Sequence, residues 1–563
     1  MKVSLRITVL LAIAAAAFAS TAAPVVRNAN GESAFAAINT DYNVIFSIEG
    51  GIFPRADANG LTPIIMTHVG DDGSISVCSP DIDNQTVYIY EYSSDMQHKK
   101  TLRFNNELPK FGAFTKDKEG NYYVFYGKDV EENEKNTVNM VLVKYNGEGA
   151  KINVFKLNAT GNDPFAIYEV KKPFDMGSCR MEISGDWIIV YFATIAFKSS
   201  DGKNHQSSWG FVLDKNRFER VDTRDYINRY GSYTLVMPWA SHSFNQYILP
   251  IENGFVSVDH ADGTPRSFYF NKILRGQDGK DLRAFRFPGY FGSNVTYAQM
   301  GGLAKTSSGY IFAGTYERNV VVSGHGYEDS RNLFILYLDG DFTSISEPVW
   351  ITNYTNKETE HAANPKIAAL GDGRHILMWE FMNAGNFAYI TTFMLLIDEK
   401  GKPLGKQIEL PNVRLNLNDA LRYNKATGNV HWAVNNGSRQ IILYALNPDN
   451  PNLAGTSPEI KTLPSGFIGT WERIDTSIAK NTLTVTSTKI RASNQYYEWI
   501  IREQAGDAYT FSLDINPSEK YTLHLKLVGD NLEIVYKYKI TPYEQLRKPP
   551  GEDNWTGMWR RIK

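Results

Sequence analysis

The chain has 563 residues, more than one ordinary hydrophobic core accommodates, so it divides into several domains or forms a repeat array. Its 59 Lys plus Arg nearly cancel 61 Asp plus Glu, which leaves no basic stripe to neutralise phosphates and argues against nucleic acid as a partner. Aromatics make up 13% of the chain and sit beside β-branched residues in short runs, a composition of sheets rather than helices.

Residues 1–22 read as a signal peptide: a basic MKVSLR, an apolar ITVLLAIAAAAFA, then the small residues STAAP, with cleavage open after Ala19 or Ala22. No run of about 18 apolar residues recurs. The expectation is therefore an exported soluble protein, extracellular or periplasmic, with no membrane span once the signal is removed. Cys78 and Cys179 are the only cysteines. An oxidising compartment permits a disulfide between them, while their separation puts them in different repeat units, and both outcomes stay open.

Between residues 40 and 447 one unit recurs seven times: a strand, a turn ending in Gly, a second strand, a variable polar loop and a third strand. The turn glycines are Gly73, Gly120, Gly185, Gly254, Gly309, Gly373 and Gly428, spaced 47 to 69 residues apart. Each is expected to supply the positive φ that closes a tight hairpin. The third strands run from TVYIYEYS in the first unit to RQIILYAL in the last. A meander of three or four antiparallel strands cannot bury both faces alone, and radial stacking buries them against one another. The fold class is thus all-β, with a β-propeller of about seven blades as its main body. Two β-sandwiches would instead pair strands far apart in the chain, against the local hairpins. The apolar NVIFSIEG, Asn43 to Gly50, is the expected strand that closes the ring. Residues 448–462, rich in Pro and Asn, read as a linker.

From residue 463 to 563 the pattern changes to longer alternating strands, among them AYTFSLDI, KYTLHLKLV and NLEIVYKYK. An antiparallel sheet of this size removes its edges by closing into a small β-barrel. The segment opens with Gly469-Thr470-Trp471 and ends with Trp559-Arg560-Arg561, a pattern that resembles lipocalin-like domains, in which a Gly-x-Trp on the first strand plugs the barrel floor near an Arg. With the segments SHSFNQ, DGTPR and DGKNHQSS, the whole chain resembles secreted bacterial propeller proteins of unassigned function that carry such a barrel. The resemblance implies no established activity and no particular ligand.

In a propeller the strands run outward from a central channel and successive loops alternate between the two faces. The glycine turns share one face, and the opposite face gathers the most polar and His-rich segments. There His205, His242, Asn245, Gln246, Asp259, His260, Arg266, His361 and Asn364 are the candidate ligand-binding residues over the channel, with Trp239 or Trp379 as aromatic walls. The competing reading is structural, with these side chains capping turns and satisfying neighbouring carbonyls. Neither a Gly-x-Ser-x-Gly elbow nor a His-Glu-x-x-His motif is present, and the His and carboxylate spacings define no metal site, so no cofactor or metal is expected. Two functions follow. One is a non-catalytic exported binding protein whose polar face takes a glycan, peptide or protein partner. The other is an extracytoplasmic hydrolase or lyase, with a carbohydrate as one substrate class, using His205, His242 or His260 as base and Arg266 to hold an anion. Oligomeric state leaves no mark in the sequence.

Overall fold

The structure, a computed structural model, describes residues 33–40 and 65–451 apart from 161–168, 176, 222–239, 262–266, 276–279, 288–297, 319–328, 358, 384–388 and 436–439, and the backbone of strands between 469 and 561. Among the described residues no helix occurs. Seven antiparallel meanders form the blades of a β-propeller. Six are four-stranded. The third has five strands, because Val170–Pro173 and Cys179–Ser184 share the long second strand Trp187–Lys198. The innermost strands of blades 1 to 7 are Met66–Val69, Lys110–Lys116, Cys179–Ser184, Ser243–Ile251, Gln299–Lys305, His361–Ala369 and Arg422–Asn424. Each contacts its neighbours on both sides, so the ring is complete.

Burial follows from this stacking. A blade is covered on both faces, so its second strand is buried at every position rather than at alternate ones, by apolar side chains or by polar ones such as Asp259 that find partners inside. Ile75–Asp81, Tyr122–Gly127, Gly254–Ala261 and Gly309–Glu317 are buried along their whole lengths. The core is accordingly a series of layers between blades. Val256, Phe268, Phe312 and Phe334 fill the layer between blades 4 and 5, and Ile311, Leu333, Leu377 and Trp379 fill the next.

The ring is closed by a different strand from the one expected. Ala34–Asn39 is the outermost strand of blade 7, paired from Ala34↔Ala445 to Asn39↔Gln440, whereas Asn43 to Gly50 lie outside the described residues. The edge of the propeller therefore moves back from residue 40 to at least Ala34. Ala36 and Ile38 pack with Ile75 and Tyr90 of blade 1 and with Ile441 and Leu443 of blade 7. Alanine has little strand preference, so AFAAIN carries a weak local signal for a position that the narrow space between two blades favours.

Five of the seven turn glycines have positive φ, from 56° at Gly185 to 85° at Gly120. Gly254 and Gly309 do not. They open the second strands of their blades, where a Cβ would lie 2.1 Å from the carbonyl oxygens of Ile273 and Leu338, and the positive φ of the blade 4 turn belongs to Asn253. There the requirement for Gly comes from close strand approach. Cys78 and Cys179 are both buried free thiols, in blades 1 and 3, so no disulfide joins them. At the C-terminal end eight strands, from Gly469–Arg473 to Gly557–Arg561, pair in chain order, and the last pairs back on the first.

Candidate functional site

Four of the residues expected over the channel, Asp259, Gln246, Asn245 and His242, gather where blades 3 and 4 meet. Asp259 is buried in the second strand of blade 4 and accepts hydrogen bonds from Tyr191 Oη and Ser243 Oγ. Gln246, also buried, donates through Nε2 to Ser243 Oγ and accepts from Ser178 Oγ at 2.8 Å. The bonds to Ser178 and Tyr191 stitch the two blades together. Burial pushes the Asp259 carboxyl up to about 6 against the opposing pull of its hydrogen bonds. Asn245 accepts from Arg180 Nη2 at 3.3 Å. His260 is fully buried against Phe268 and Phe287, with ring centroids at 4.6 and 5.5 Å, so it lies in the core rather than on a pocket wall. His242, at φ 56°, bonds through Nδ1 to Ser241 Oγ at 2.7 Å.

The other candidates lie apart from this network. His205 pairs with Asp201 at 2.9 Å on a half-exposed edge, its ring 6.1 Å from that of His242. His361 and Asn364 belong to blade 6. The His361 ring accepts the Arg331 backbone N–H at 2.8 Å, and burial holds its imidazole down at about 3. Asn364 donates to the Leu415 carbonyl at 2.8 Å. Trp379 is completely buried, and its indole N–H meets Tyr354 Oη at 3.1 Å, so it packs between blades and walls no pocket. Arg266 and Trp239 lie outside the described residues.

An open cleft lies on the other face, among the glycine turns of blades 1, 2 and 3. It encloses about 350 Å³ and is lined by His68 and Asp71 of blade 1, Lys116, Asp117, Lys118 and Glu119 of blade 2, and Glu182, Asp186 and Lys215 of blade 3. Its shape comes from hairpin geometry. Asp117 accepts the Asn121 N–H at 2.7 Å and Tyr123 Oη at 2.8 Å, which fixes the turn that carries Lys118 and Glu119. Most of the lining charges are paired: Lys116 with Glu91 at 2.7 Å, Lys215 with Glu119 at 3.0 Å. Asp71 and Asp186 form no ion pair among the described residues. Burial, with Arg422 and Lys116 nearby, keeps the His68 imidazole neutral, down at about 3.

Glu182 connects the cleft to the central bore. Its Oε1 accepts from Arg422 Nη2 at 2.6 Å. Glu182 belongs to blade 3 and Arg422 to blade 7, which are not neighbours, so this pair crosses the bore. The Arg422 side chain keeps 27% exposure on an innermost strand, which means that the bore admits solvent. None of the lining residues of the cleft was among the sequence candidates. The available signal was the charge of the turns themselves, DDG after Gly70 and DKEG before Asn121, which also reads as ordinary turn chemistry.

No family model matches the chain, and no curated protein matches it. Among solved structures, the chain is similar to a protein of unknown function from Dyadobacter fermentans DSM 18053, at 11% identity and a TM-score of 0.34 over 63% of this chain and 98% of that one. It is also similar to the GH43 endo-arabinanase of Bacillus licheniformis, at 11% identity and a TM-score of 0.26 over 52% and 95% of the two chains. A third similar structure is the hemagglutinin-neuraminidase of parainfluenza virus 5, at 10% identity and a TM-score of 0.29 over 66% and 96%.

Proposed function

We propose that this chain is an exported, non-catalytic binding protein whose propeller takes a polar ligand, a short glycan or peptide, at the mouth of its bore on the glycine-turn face. The observation that carries the reading is the cleft of about 350 Å³, which draws charged side chains from three blades and meets the bore at Glu182. That volume falls in the range of small-ligand sites. Its lysines and carboxylates are largely committed to one another, an arrangement that offers fixed donors and acceptors rather than an activated nucleophile. The leader at residues 1–22 supports export. The C-terminal strands are read as a lipocalin-like barrel, accessory to the propeller.

The test is a glycan, peptide and metabolite binding screen on the full chain, repeated with Lys118→Ala and Asp186→Asn. Loss of binding in these variants with unchanged thermal unfolding supports the reading. Binding that survives both and disappears in His242→Ala puts the site on the opposite face and overturns it.

A further inference from the structure

Beneath the cleft, the bore holds a set of charged and polar side chains that the cleft does not use. Arg180 and Glu182 are two residues apart on the same strand, so they point the same way and Arg180 sits roughly 7 Å deeper. Its guanidinium is aimed by blade 4: Nε donates to the Gln246 carbonyl at 2.9 Å and Nη2 to Asn245 Oδ1 at 3.3 Å. Lys366, buried on the inner strand of blade 6, donates to the carbonyls of Asp419 at 2.8 Å and Leu417 at 3.2 Å. Tyr247, on the inner strand of blade 4, leans on Gly302, where a Cβ would come within 2.8 Å of its ring.

Two donors in this set are unused. Arg422 Nε is buried with no hydrogen-bond partner among the described residues, although Nη2 of the same guanidinium holds Glu182. The Tyr247 hydroxyl makes no hydrogen bond among the described residues. The charges do not balance either. Arg180, Lys366 and Arg422 face Glu182 and Asp419, and the Asp419 carboxylate already accepts the backbone N–H groups of Thr67 and Ala420 at 2.7 and 2.9 Å. With Lys366 in its charged form, and with the nearby Glu380 already paired to Arg414, one positive charge is in excess. Its field is visible in the neighbours: burial and Arg180 together bring the Lys366 ammonium down to about 7, and burial with the nearby Arg422 weakens the hold of Arg180 on its proton.

We propose that the bore, at the level of Arg180, Tyr247 and Arg422, seats a carboxylate of the ligand, so that this protein selects acidic small molecules through an anchor below its cleft. This rests on the reading of the cleft as a binding site. A carboxylate fits because the excess is a single charge and because a planar guanidinium matches a planar, two-oxygen acceptor. Glu182 marks the way in. It stands on the cleft wall and occupies Arg422, so an incoming carboxylate competes with it for the same guanidinium.

The experiment measures calorimetric binding of D-glucuronate against D-glucose, and of N-acetylglycine against N-acetylglycinamide, to the full chain. At least one acid is expected to bind tenfold or more tightly than its neutral counterpart. Tyr247→Phe removes a hydroxyl with no hydrogen-bond partner among the described residues, so it should leave thermal unfolding unchanged and weaken the acid about tenfold while sparing the neutral compound. Arg180→Gln should erase the preference. Lys366 faces Arg180, Asp419 and Glu380, and an anion beside it favours its charged form. Binding of the acid at pH 7 should therefore take up a fraction of a proton, read from titrations in two buffers of different ionisation enthalpy. Equal binding of acid and neutral compound overturns the anchor and leaves the cleft reading standing, as does an acid preference untouched in both variants. Absence of binding by both acids overturns the anchor as well.

Discussion

Replacing Asp259 with Asn tests whether the seam between blades 3 and 4 contains a carboxyl raised by burial. The folded value is about 6 and the ordinary value 3.8. A folded value above the unfolded one means that the native state binds the proton more tightly, so this group's contribution to stability is greatest at low pH and falls as pH rises through the interval. With the acid fully ionised the loss approaches about 3 kcal/mol, since each tenfold change in proton affinity is about 1.4 kcal/mol. Asn is neutral at every pH. Asp259→Asn should therefore gain on the wild type by about 2–3 kcal/mol between pH 4 and pH 7, whatever constant offset the lost acceptor geometry introduces. Only this difference is diagnostic. His68 and His361, brought down to about 3, and His431, brought down to about 4, are neutral in the fold and protonate on unfolding, which makes the absolute stability rise with pH over part of the same range. The assay is urea unfolding followed by tryptophan fluorescence at half-unit pH intervals. Parallel profiles, with the gap constant across the range, would refute a burial-raised carboxyl and leave Asp259 an ordinary ionised hydrogen-bond acceptor.

Trp379→Ala should cost about 3–5 kcal/mol of stability in the same unfolding assay, because the indole is wholly enclosed between blades 5 and 6; a loss below about 1 kcal/mol would restore it to the surface. Ile38→Ala, in the closing strand, should cost about 2–5 kcal/mol, and an unaffected midpoint would show that Ala34–Asn39 does not close the ring in solution. Gly254→Ala and Gly185→Ala separate two reasons for a turn glycine. At Gly185, where φ is 56° and the space around the added methyl is empty, the cost should be about 1–2 kcal/mol. At Gly254, where the methyl meets the Ile273 carbonyl, it should reach about 3 kcal/mol or more, and equal melting shifts for the two variants would contradict the distinction.

The blade count was legible because each blade is a local object. A hairpin turn followed by a short run rich in aromatic and β-branched residues repeats with the physics of a strand buried on both faces, and nothing distant is needed to recognise it. The closing strand was not legible for the opposite reason. Ala34–Asn39 is a strand only because Gln440–Leu446, at the far end of the propeller sequence, offers it a ladder and blade 1 offers it a wall. An apolar octapeptide nearby carries a stronger local signal. Gly254 and Gly309 show the same limit on a smaller scale: the position of each Gly was readable, but whether it serves a turn or a close approach depends on the third strand beside it.

Much of the polarity that the sequence gathers on one face is spent inside the fold. The His-rich segments are polar because they knit blades together: Asp259 and Gln246 join blade 4 to blade 3, and His361 accepts a backbone N–H. Buried polar groups need partners, and a propeller supplies them at each seam, so a buried seam and a binding face have the same composition. What distinguishes the proposed anchor is an unmet valence in an accessible space. That property belongs to no segment. Arg180, Tyr247 and Arg422 sit in three blades, and each reads in its own strand as an ordinary inward residue. Their excess charge and unused donors exist only once the ring closes and sets blade 7 across from blade 3.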